Sequence, residues 1–463
     1  GDFIATARTS KEVFERRVAG GSLTGDLFEL PAGAVAAAVG FEYRKDEYNF
    51  TPGATDLAGE YGPISRGITA GEFDVTEFFG EVRIPILSDR PFFETLALEG
   101  AVRHSEYSNF GGAVTWKVSG EWAPVQWLRF RSAYNRAMRA PTLSELFSPV
   151  SLGFTAGDDP CDVDFQPTQA QKDLCIAQGV PAADIDTFQQ INVGFDAQSG
   201  GNPNLKEENS STFTIGVVVQ VPFVRNLNVA VDYFDIEVED AITSISAQQT
   251  VDTCFELLDI NSAQCQAIRR LPNGQIDFVG TELSNIGARK VRGVDLQADY
   301  GVDLPESFAL LGNAARLQLG LAAGWLFENT SQVIGASPLD CAGYFGAGCT
   351  GQGIFGTPDF KANLSAAYVN QALSLRLQYR HIGKLELASG VSSAIKKAGS
   401  RGYVDLSATY RPTDVLELFA GVDNLLDELP PLLGFSFGGD ANTDVSIYDV
   451  VGRRFFTGVR MRF

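Results

Sequence analysis

Alternation of apolar and polar residues with a period of two recurs along nearly the whole chain, and it constrains the fold more than any other feature. Trp116 and Val118 alternate with polar residues, and after a short turn at 123–126, Leu128 and Phe130 alternate with arginines. This is the periodicity of a β-strand with one apolar and one polar face. The chain is therefore predicted to be all-β and antiparallel, with about 15 strands arranged as successive hairpins.

Charge on the polar rows distinguishes a membrane barrel from a large soluble β-sandwich or propeller. An uncompensated charge is costly in a dry core, whereas a water-filled lumen accommodates it. The apolar rows also end in Tyr, Phe or Trp, as the aromatic girdles of an outer-membrane barrel do. The pattern favours a transmembrane antiparallel β-barrel. The mid-strand charges are Glu99, Lys117, Arg129, Asp232, Asp295, Arg376, Asp405 and Glu417.

In each strand, the polar row is expected to face the lumen of the barrel and the apolar row to face lipid. Arg129, Arg376 and Glu417 are expected to face the lumen. The residues expected to face lipid are Trp116, Phe130, Leu375 and Leu418.

Connections between the predicted strands alternate in length. If the last strand ends at the periplasmic rim, every second connection lies on that side, and each of these is short. Short periplasmic turns with long extracellular loops are typical of outer-membrane barrels. The short connections are 28–32, 88–92, 123–126, 222–224, 302–312, 370–372 and 411–413, and the long ones lie around 139–210, 242–279, 329–357 and 425–452.

Composition fits this interpretation and excludes others. No apolar run among the 463 residues approaches the roughly 18 needed for a membrane-spanning helix. The net charge of −21 argues against nucleic acid as a partner. With two histidines, no Ser-His-Asp or Cys-His arrangement is credible, so we do not predict an enzyme. Position 1 is not Met and no signal peptide follows, so the sequence is expected to be mature, processed or truncated.

Six cysteines form three close pairs, each within one long loop. Local pairs in an oxidising compartment indicate disulfides that stabilise large loops, although spacing alone does not fix the connectivity. Zinc is disfavoured because His104 and His381 lie far from the pairs. Asp158, Asp159 and the carboxylates near Glu207 are compatible with calcium, but ordinary loop acidity explains them as well, and we predict no metal or cofactor. The expected pairs are Cys161/Cys175, Cys254/Cys265 and Cys341/Cys349.

Four segments, in order along the chain, resemble signatures of TonB-dependent outer-membrane receptors. Residues 135–147 resemble an Arg-x-x-Arg-Ala-Pro…Glu-Leu-Phe signature. Residues 202–208 resemble an Asn-Pro-x-Leu-Lys-Pro-Glu segment, with Glu207 where Pro is usual. Residues 422–427 resemble the end of the penultimate strand, and 453–463 the terminal strand. In that strand Phe455, Gly458, Met461 and Phe463 would form the signal for the barrel assembly machinery.

The resemblance implies a fold and a function. Family members have a barrel of about 22 strands around an N-terminal plug that contacts TonB. Residues 1–463 are therefore expected to form the C-terminal part of one barrel domain, about 15 of roughly 22 strands. The plug and the first strands would come from upstream sequence or a partner chain. The edges near 12–27 and 453–463 should then pair with strands absent from this sequence, because unpaired backbone groups are costly in lipid.

The implied activity is TonB-dependent uptake of a scarce nutrient across a Gram-negative outer membrane. The ligand would be a ferric siderophore, cobalamin or an oligosaccharide. A passive porin-like channel and a structural half-barrel in a larger envelope complex remain alternatives.

Four arginines are candidate contacts for a ligand or for the plug. Arg129, Arg131, Arg376 and Arg380 come from two separate hairpins and could form a cationic wall facing an anionic ligand or a carboxylate-rich plug. The alternative, which we favour, is that they pair across strands with carboxylates and need no ligand. The carboxylates expected in that case are Glu99, Glu121, Asp405 and Glu417.

Overall fold

The computed structural model describes residues 9–58, 67–312, 314–333, 338–346, 356–389, 393–434 and 442–462. Phe463 and Cys349, both named above, lie outside these ranges. The first strands are β1 (Ser10–Leu30), β2 (Gly33–Pro52), β3 (Thr69–Arg90), β4 (Phe93–Tyr107), β5 (Gly111–Val125), β6 (Leu128–Arg139), β7 (Ser151–Ala156), β8 (Gly194–Ser199), β9 (Glu208–Gln220), β10 (Leu227–Thr243), β11 (Ile268–Arg270) and β12 (Ile276–Gly280).

The second half of the chain contributes further strands and the chain as a whole has few helices. The strands are β13 (Ser284–Leu304), β14 (Ala315–Val333), β15 (Leu339–Asp340), β16 (Tyr344–Phe345), β17 (Phe360–Asn370), β18 (Leu373–Ile382), β19 (Leu385–Leu387), β20 (Lys397–Ala398), β21 (Arg401–Tyr410), β22 (Leu416–Asp423) and β23 (Arg454–Met461). The helices are α1 (Ala54–Leu57), α2 (Leu143–Phe147), α3 (Gln169–Gln178), α4 (Ala247–Leu257) and α5 (Ala263–Gln266).

One large antiparallel sheet dominates the structure. Its path is β1-β2-β3-β4-β5-β6-β9-β10-β13-β14-β17-β18-β21-β22-β23, and the two-residue strand β15 pairs with β14 at its side. The path has the 15 strands that the alternation predicted, in hairpin order. Strands β7, β8, β11 and β12 instead form a separate small sheet, and β16, β19 and β20 form another.

The two faces of the large sheet differ as the sequence predicted. Residues directly opposite each other on paired strands share a face, so the register extends each row across the sheet. Arg131 lies opposite Glu121 and Gly216, and Gly216 lies opposite Asp232. The other face presents large apolar side chains to the surroundings, including Val118 (55% exposed) and Phe455 (71% exposed). Such an apolar outer face is expected where a barrel wall contacts lipid.

The lengths of the connections confirm the predicted asymmetry. On one side of the sheet, two-residue turns at 31–32 and 91–92 join neighbouring strands. On the opposite side, long segments separate β6 from β9 and β10 from β13. One connection there is short, 108–110, because β4 and β5 form a tight hairpin. The long segments also contain regular structure, namely α2 to α5 and the small sheets.

The large sheet has two free edges. Among the described residues, β1 and β23 each pair with one neighbour and not with each other, so the sheet does not close on itself. Nearly the whole of β1 is exposed. In a barrel wall such edges require partner strands, because unpaired backbone groups are costly in hydrocarbon.

Candidate functional site

The polar face of the large sheet carries charges that are mostly paired. Lys117 forms an ion pair with Glu99 on the adjacent strand. Near the free edge at β23, Glu417 accepts hydrogen bonds from Arg411 and Arg460, both at 2.7 Å. This face is therefore a wall of compensated charge rather than a surface of one sign.

Three of the four candidate arginines belong to that pattern of compensated charge. Arg129 Nε lies 3.2 Å from a Glu121 carboxylate oxygen. Arg131 binds both carboxylate oxygens of Asp232, at 2.8 and 2.6 Å. Arg380 donates to Asp405 at 2.9 Å. The partners Glu121 and Asp405 were expected, whereas Asp232 was not among the predicted carboxylates.

Arg376 differs from the other three, because it forms no ion pair within the part of the chain that the structure describes. It lies opposite Ser407 and Ala367, which offer no charge. Five strands separate the two arginines on β6 from the two on β18, so the sheet does not bring the four together. Contact of these arginines with a ligand or plug remains a prediction.

Two aspartates sit directly opposite each other on the same polar face. Asp232 on β10 lies across from Asp295 on β13, and Arg131 compensates only Asp232. Gly216 lies opposite Asp232, and Gly324 lies opposite Asp295. A side chain at Gly216 would overlap the Asp232 carboxylate. A cavity of about 580 Å³ adjoins this region, with Arg380 and both aspartates in its lining.

The first segment that resembles the receptor family begins in β6 and continues beyond it. Its second part, residues 140–147, folds back onto the polar face at the end of the sheet that carries the long loops. Helix α2 begins with a capping box in which Thr142 and Glu145 satisfy each other's backbone N–H groups. Leu143 and Leu146 are buried in one cluster with residues of β3 and β4. The ring of Phe147 occupies the space beside Gly71, where a side chain would overlap it.

Arg139 joins this segment to the second receptor-like segment. Its guanidinium binds Glu145 at 2.9 and 3.0 Å and Glu208 at 2.6 and 2.7 Å. Burial opposes ionisation of Glu145, but hydrogen bonds from Arg139 and Thr142 outweigh it, so that the pKa of Glu145 lies below its usual value. Asn202 donates its backbone N–H to the Glu145 carbonyl at 2.8 Å. The first two of the four segments that carried the resemblance are thus packed against each other.

Two long loops fold together into one unit, which we call the loop module (residues 150–200 and 244–283). Its sheet β11-β12-β8-β7 combines strands from both loops, and β12 pairs with β8 in parallel. The module has its own hydrophobic core, in which Val251 and Val279 are fully buried. The sequence predicted two long breaks here, and the structure shows that they fold together into a single body.

A buried ion pair lies inside the loop module. Arg270 and Asp159 are 1% and 2% exposed, and two hydrogen bonds of 2.6 and 2.9 Å join them. Arg270 also donates to the Gly274 carbonyl at 2.8 Å and to Gln178 at 3.2 Å. The ion pair connects the two loops. It also uses Asp159, one of the residues considered for calcium, as the partner of an arginine.

The predicted disulfides are confirmed for two of the three pairs. Cys161 is bonded to Cys175, and Cys254 to Cys265. Cys341 is also disulfide-bonded, while its predicted partner is outside the described residues. Each of the two described bridges closes a short stretch within one loop of the module.

The connection between β18 and β21 and the connection between β22 and β23 form a second group of loops, which packs around the start of β21. Tyr403 and Leu433 are fully buried there, and Tyr448 is 3% exposed. Burial raises the pKa of Tyr448 to about 12. The Arg380 guanidinium lies 5.2 Å from the centre of the Tyr403 ring, and 3.9 Å from Asp449. Arg380 therefore holds the loop before β23 to the polar face.

The C-terminal strand has the alternation expected of an assembly signal, although that role remains a prediction. Phe455 and Met461 are 71% and 58% exposed on the apolar face. Gly458 lies opposite Phe419 on β22, whose ring fills the space that a side chain would need.

A cavity lies where the loop module joins β13. It has a volume of about 590 Å³, and its lining includes Gln198, Gln264 and Ser284. Sequence reasoning missed it because its walls come from segments far apart in the chain. Within the described ranges, no helix is long and apolar enough to cross a membrane, and no cluster of three His, Cys, Asp or Glu side chains is placed to hold a metal.

Comparison with known proteins gives one family. The family described as TonB dependent receptor-like, beta-barrel matches residues 4–425. Among solved structures, a mutant of the ferric enterobactin receptor PfeA from Pseudomonas aeruginosa, in complex with enterobactin, superimposes with a TM-score of 0.62 at 17% identity, over 97% of this chain and 54% of that one.

Two further structures are similar to a comparable degree. The siderophore receptor PirA from Acinetobacter baumannii gives a TM-score of 0.60 at 13% identity, covering 98% of this chain and 55% of that one. A double mutant of the Serratia marcescens hemophore receptor HasR, in complex with its hemophore HasA and heme, gives 0.59 at 15%, covering 98% and 60%. These likenesses show the fold. The chain spans little more than half the length of the structures it matches.

Proposed function

Because the chain belongs to the TonB-dependent receptor β-barrel family, whose members are outer-membrane transporters rather than enzymes, we propose that it forms the larger part of a nutrient receptor in the outer membrane of a Gram-negative bacterium. The cargo would be a ferric siderophore, cobalamin or an oligosaccharide. The loop module and the second group of loops would gather the ligand, and the polar face of the sheet would line its path.

The two-faced sheet is the observation that carries this proposal. One face exposes large apolar side chains, as lipid contact requires, and the other holds compensated charges, as a water-filled lumen allows. The long connections all lie at one end of the sheet, where an arriving ligand would meet them.

The free edges of β1 and β23 support a further part of the proposal. Additional strands would pair with both edges and complete the barrel, supplied by other sequence of the same protein or by a partner chain. A plug would occupy the lumen and transmit the pull of TonB. The two unpaired edges favour such a completed barrel with a plug over a small closed barrel that acts as a passive channel.

Uptake by cells tests the proposal. The native protein is expressed in its full genetic form, and saturable uptake of labelled candidate ligands is compared between cells with intact and disrupted TonB. We expect uptake that requires both this protein and TonB. Uptake that rises linearly with ligand concentration and persists without TonB would support a passive channel instead.

A further inference from the structure

The cavity between the loop module and β13 is unusual in its chemistry. Its described lining is rich in amides and hydroxyls, with Gln198 from β8, Gln264 from α5 and Ser284 from β13. Glu282 is the only charged residue among those that line it. By contrast, the cavity on the polar face near β2 to β6 includes Arg44 and several other charged residues.

Three side chains in this lining have hydrogen-bonding groups to spare. Gln198, Gln264 and Ser284 make no side-chain hydrogen bond within the part of the chain that the structure describes. Phe278 adds an apolar ring to the same wall. Small-molecule sites typically combine such an apolar surface with a few polar groups that fix orientation, in a volume of roughly 300–1,000 Å³. The volume of about 590 Å³ lies inside that range.

The charge of the loop module restricts the ligand further. Its two segments carry 13 carboxylates against 3 cationic side chains, a net charge of −10 within a chain total of −21. Such a field repels polyanions and leaves neutral molecules unaffected. A cavity whose described lining includes no cationic side chain is therefore poorly suited to an anionic ferric chelate.

We infer that this cavity binds a neutral, hydroxyl-rich ligand of the oligosaccharide class. The glutamine amides and the serine hydroxyl would donate to and accept from sugar hydroxyls, and Phe278 would contact the apolar C–H face of a sugar ring. The inference rests on the proposed function, because it names the class of cargo that the receptor would take.

Direct binding tests the site. Purified protein in detergent micelles is titrated by calorimetry with a panel of neutral gluco-, xylo-, manno- and fructo-oligosaccharides. We expect at least one to bind. The double variant Gln198→Ala/Gln264→Ala should weaken that binding roughly tenfold, since each lost hydrogen bond removes a modest share of the affinity. A matched double variant of two exposed glutamines elsewhere on the module, Gln169→Ala/Gln189→Ala, should bind as the unaltered protein does.

Salt dependence provides a second measurement. Because no ion pair is involved, the affinity should change less than about twofold between low and high salt, where exposed charge interactions are strongly screened. The inference is overturned if no member of the panel binds, if the cavity variant binds like its control, or if the affinity falls steeply with salt. It is also overturned if an anionic ferric tris-catecholate competes for binding and is weakened by the cavity variant.

A failure of the proposed function can be distinguished from a failure of the proposed oligosaccharide site. Binding of an oligosaccharide without TonB-dependent uptake would contradict the proposed function and leave the site intact. TonB-dependent uptake of a different cargo, with no oligosaccharide bound, would contradict the site alone.

Discussion

Removing the charge of Asp159 should destabilise the loop module and leave the large sheet unchanged. Asp159 and Arg270 are both almost completely buried and are joined by two hydrogen bonds. Loss of one partner from a buried pair leaves a charge without compensation, which costs about 3–5 kcal/mol. The two disulfides of the module close short stretches and contribute about 2–3 kcal/mol each. Asp159→Asn should therefore cost more than either bridge.

Hydrogen exchange measures this loss locally. A change of about 3–5 kcal/mol corresponds to a decrease of roughly 100-fold to 4,000-fold in protection of the backbone amides. We expect it in peptides from 151–199 and 246–280. The shift in electrophoretic mobility on heating, which reports unfolding of the barrel wall, should occur at the same temperature as in the unaltered protein.

The neighbouring ion pair provides a matched control. Arg269 and Asp277 lie 3.4 Å apart with side chains 67% and 35% exposed. An exposed pair contributes about 0–1 kcal/mol, so Asp277→Asn should lower protection less than about fivefold.

A double variant tests the physical reason. Replacing the pair with apolar residues, Asp159→Leu with Arg270→Met, removes both charges and should cost less than Asp159→Asn alone. Some loss should remain, because the Gly274 carbonyl loses its donor. Protection in Asp159→Asn equal to that of the control, or a double variant worse than the single one, would refute the reasoning.

Three further predictions concern the other loops. The folded-state pKa of Glu145 is lowered, so the stability it gives is present above its unfolded value, about 4.3, and is lost as the pH falls through the folded value. Exchange at 140–147 should therefore rise in acid. Glu145→Gln should reduce that dependence without removing it, because Glu208 binds the same arginine and its pKa is also lowered. Arg380→Gln should increase exchange in the loop before β23, whereas Arg376→Gln, which removes no described ion pair, should not; equal effects would contradict this. Peptide mapping without reduction should find Cys341 joined to Cys349, and a cross-loop pair would disprove the local arrangement.

The large sheet was predictable because its signal is local. A strand is recognised by alternation over a few residues, and a hairpin by the short turn that follows the strand. The number, order and faces of the strands in the large sheet could therefore be predicted from the sequence. The disulfides were predictable for the same reason, since each bridge joins cysteines 14 or 11 residues apart.

The loop module and several ion pairs could not be predicted, because their partners are distant in sequence. Asp159 and Arg270 are separated by 111 positions, and neither sits in a pattern that points to the other. Arg131 meets Asp232 only because β6 pairs with β9 after a long excursion of the chain. The capping box at Thr142 marks the start of α2, but it gives no information about where the helix docks.

The loop module also implies an order of assembly. Its disulfides join near neighbours, and the chain entropy lost in closing such small rings is modest, so each can form as soon as its own loop has been synthesised. The contact between Asp159 and Arg270 spans 111 positions and needs both loops held side by side. Strands β9 and β10 lie between those loops and set their spacing. The covalent bridges can therefore precede insertion into the membrane, whereas the module becomes complete only after the wall beneath it has formed.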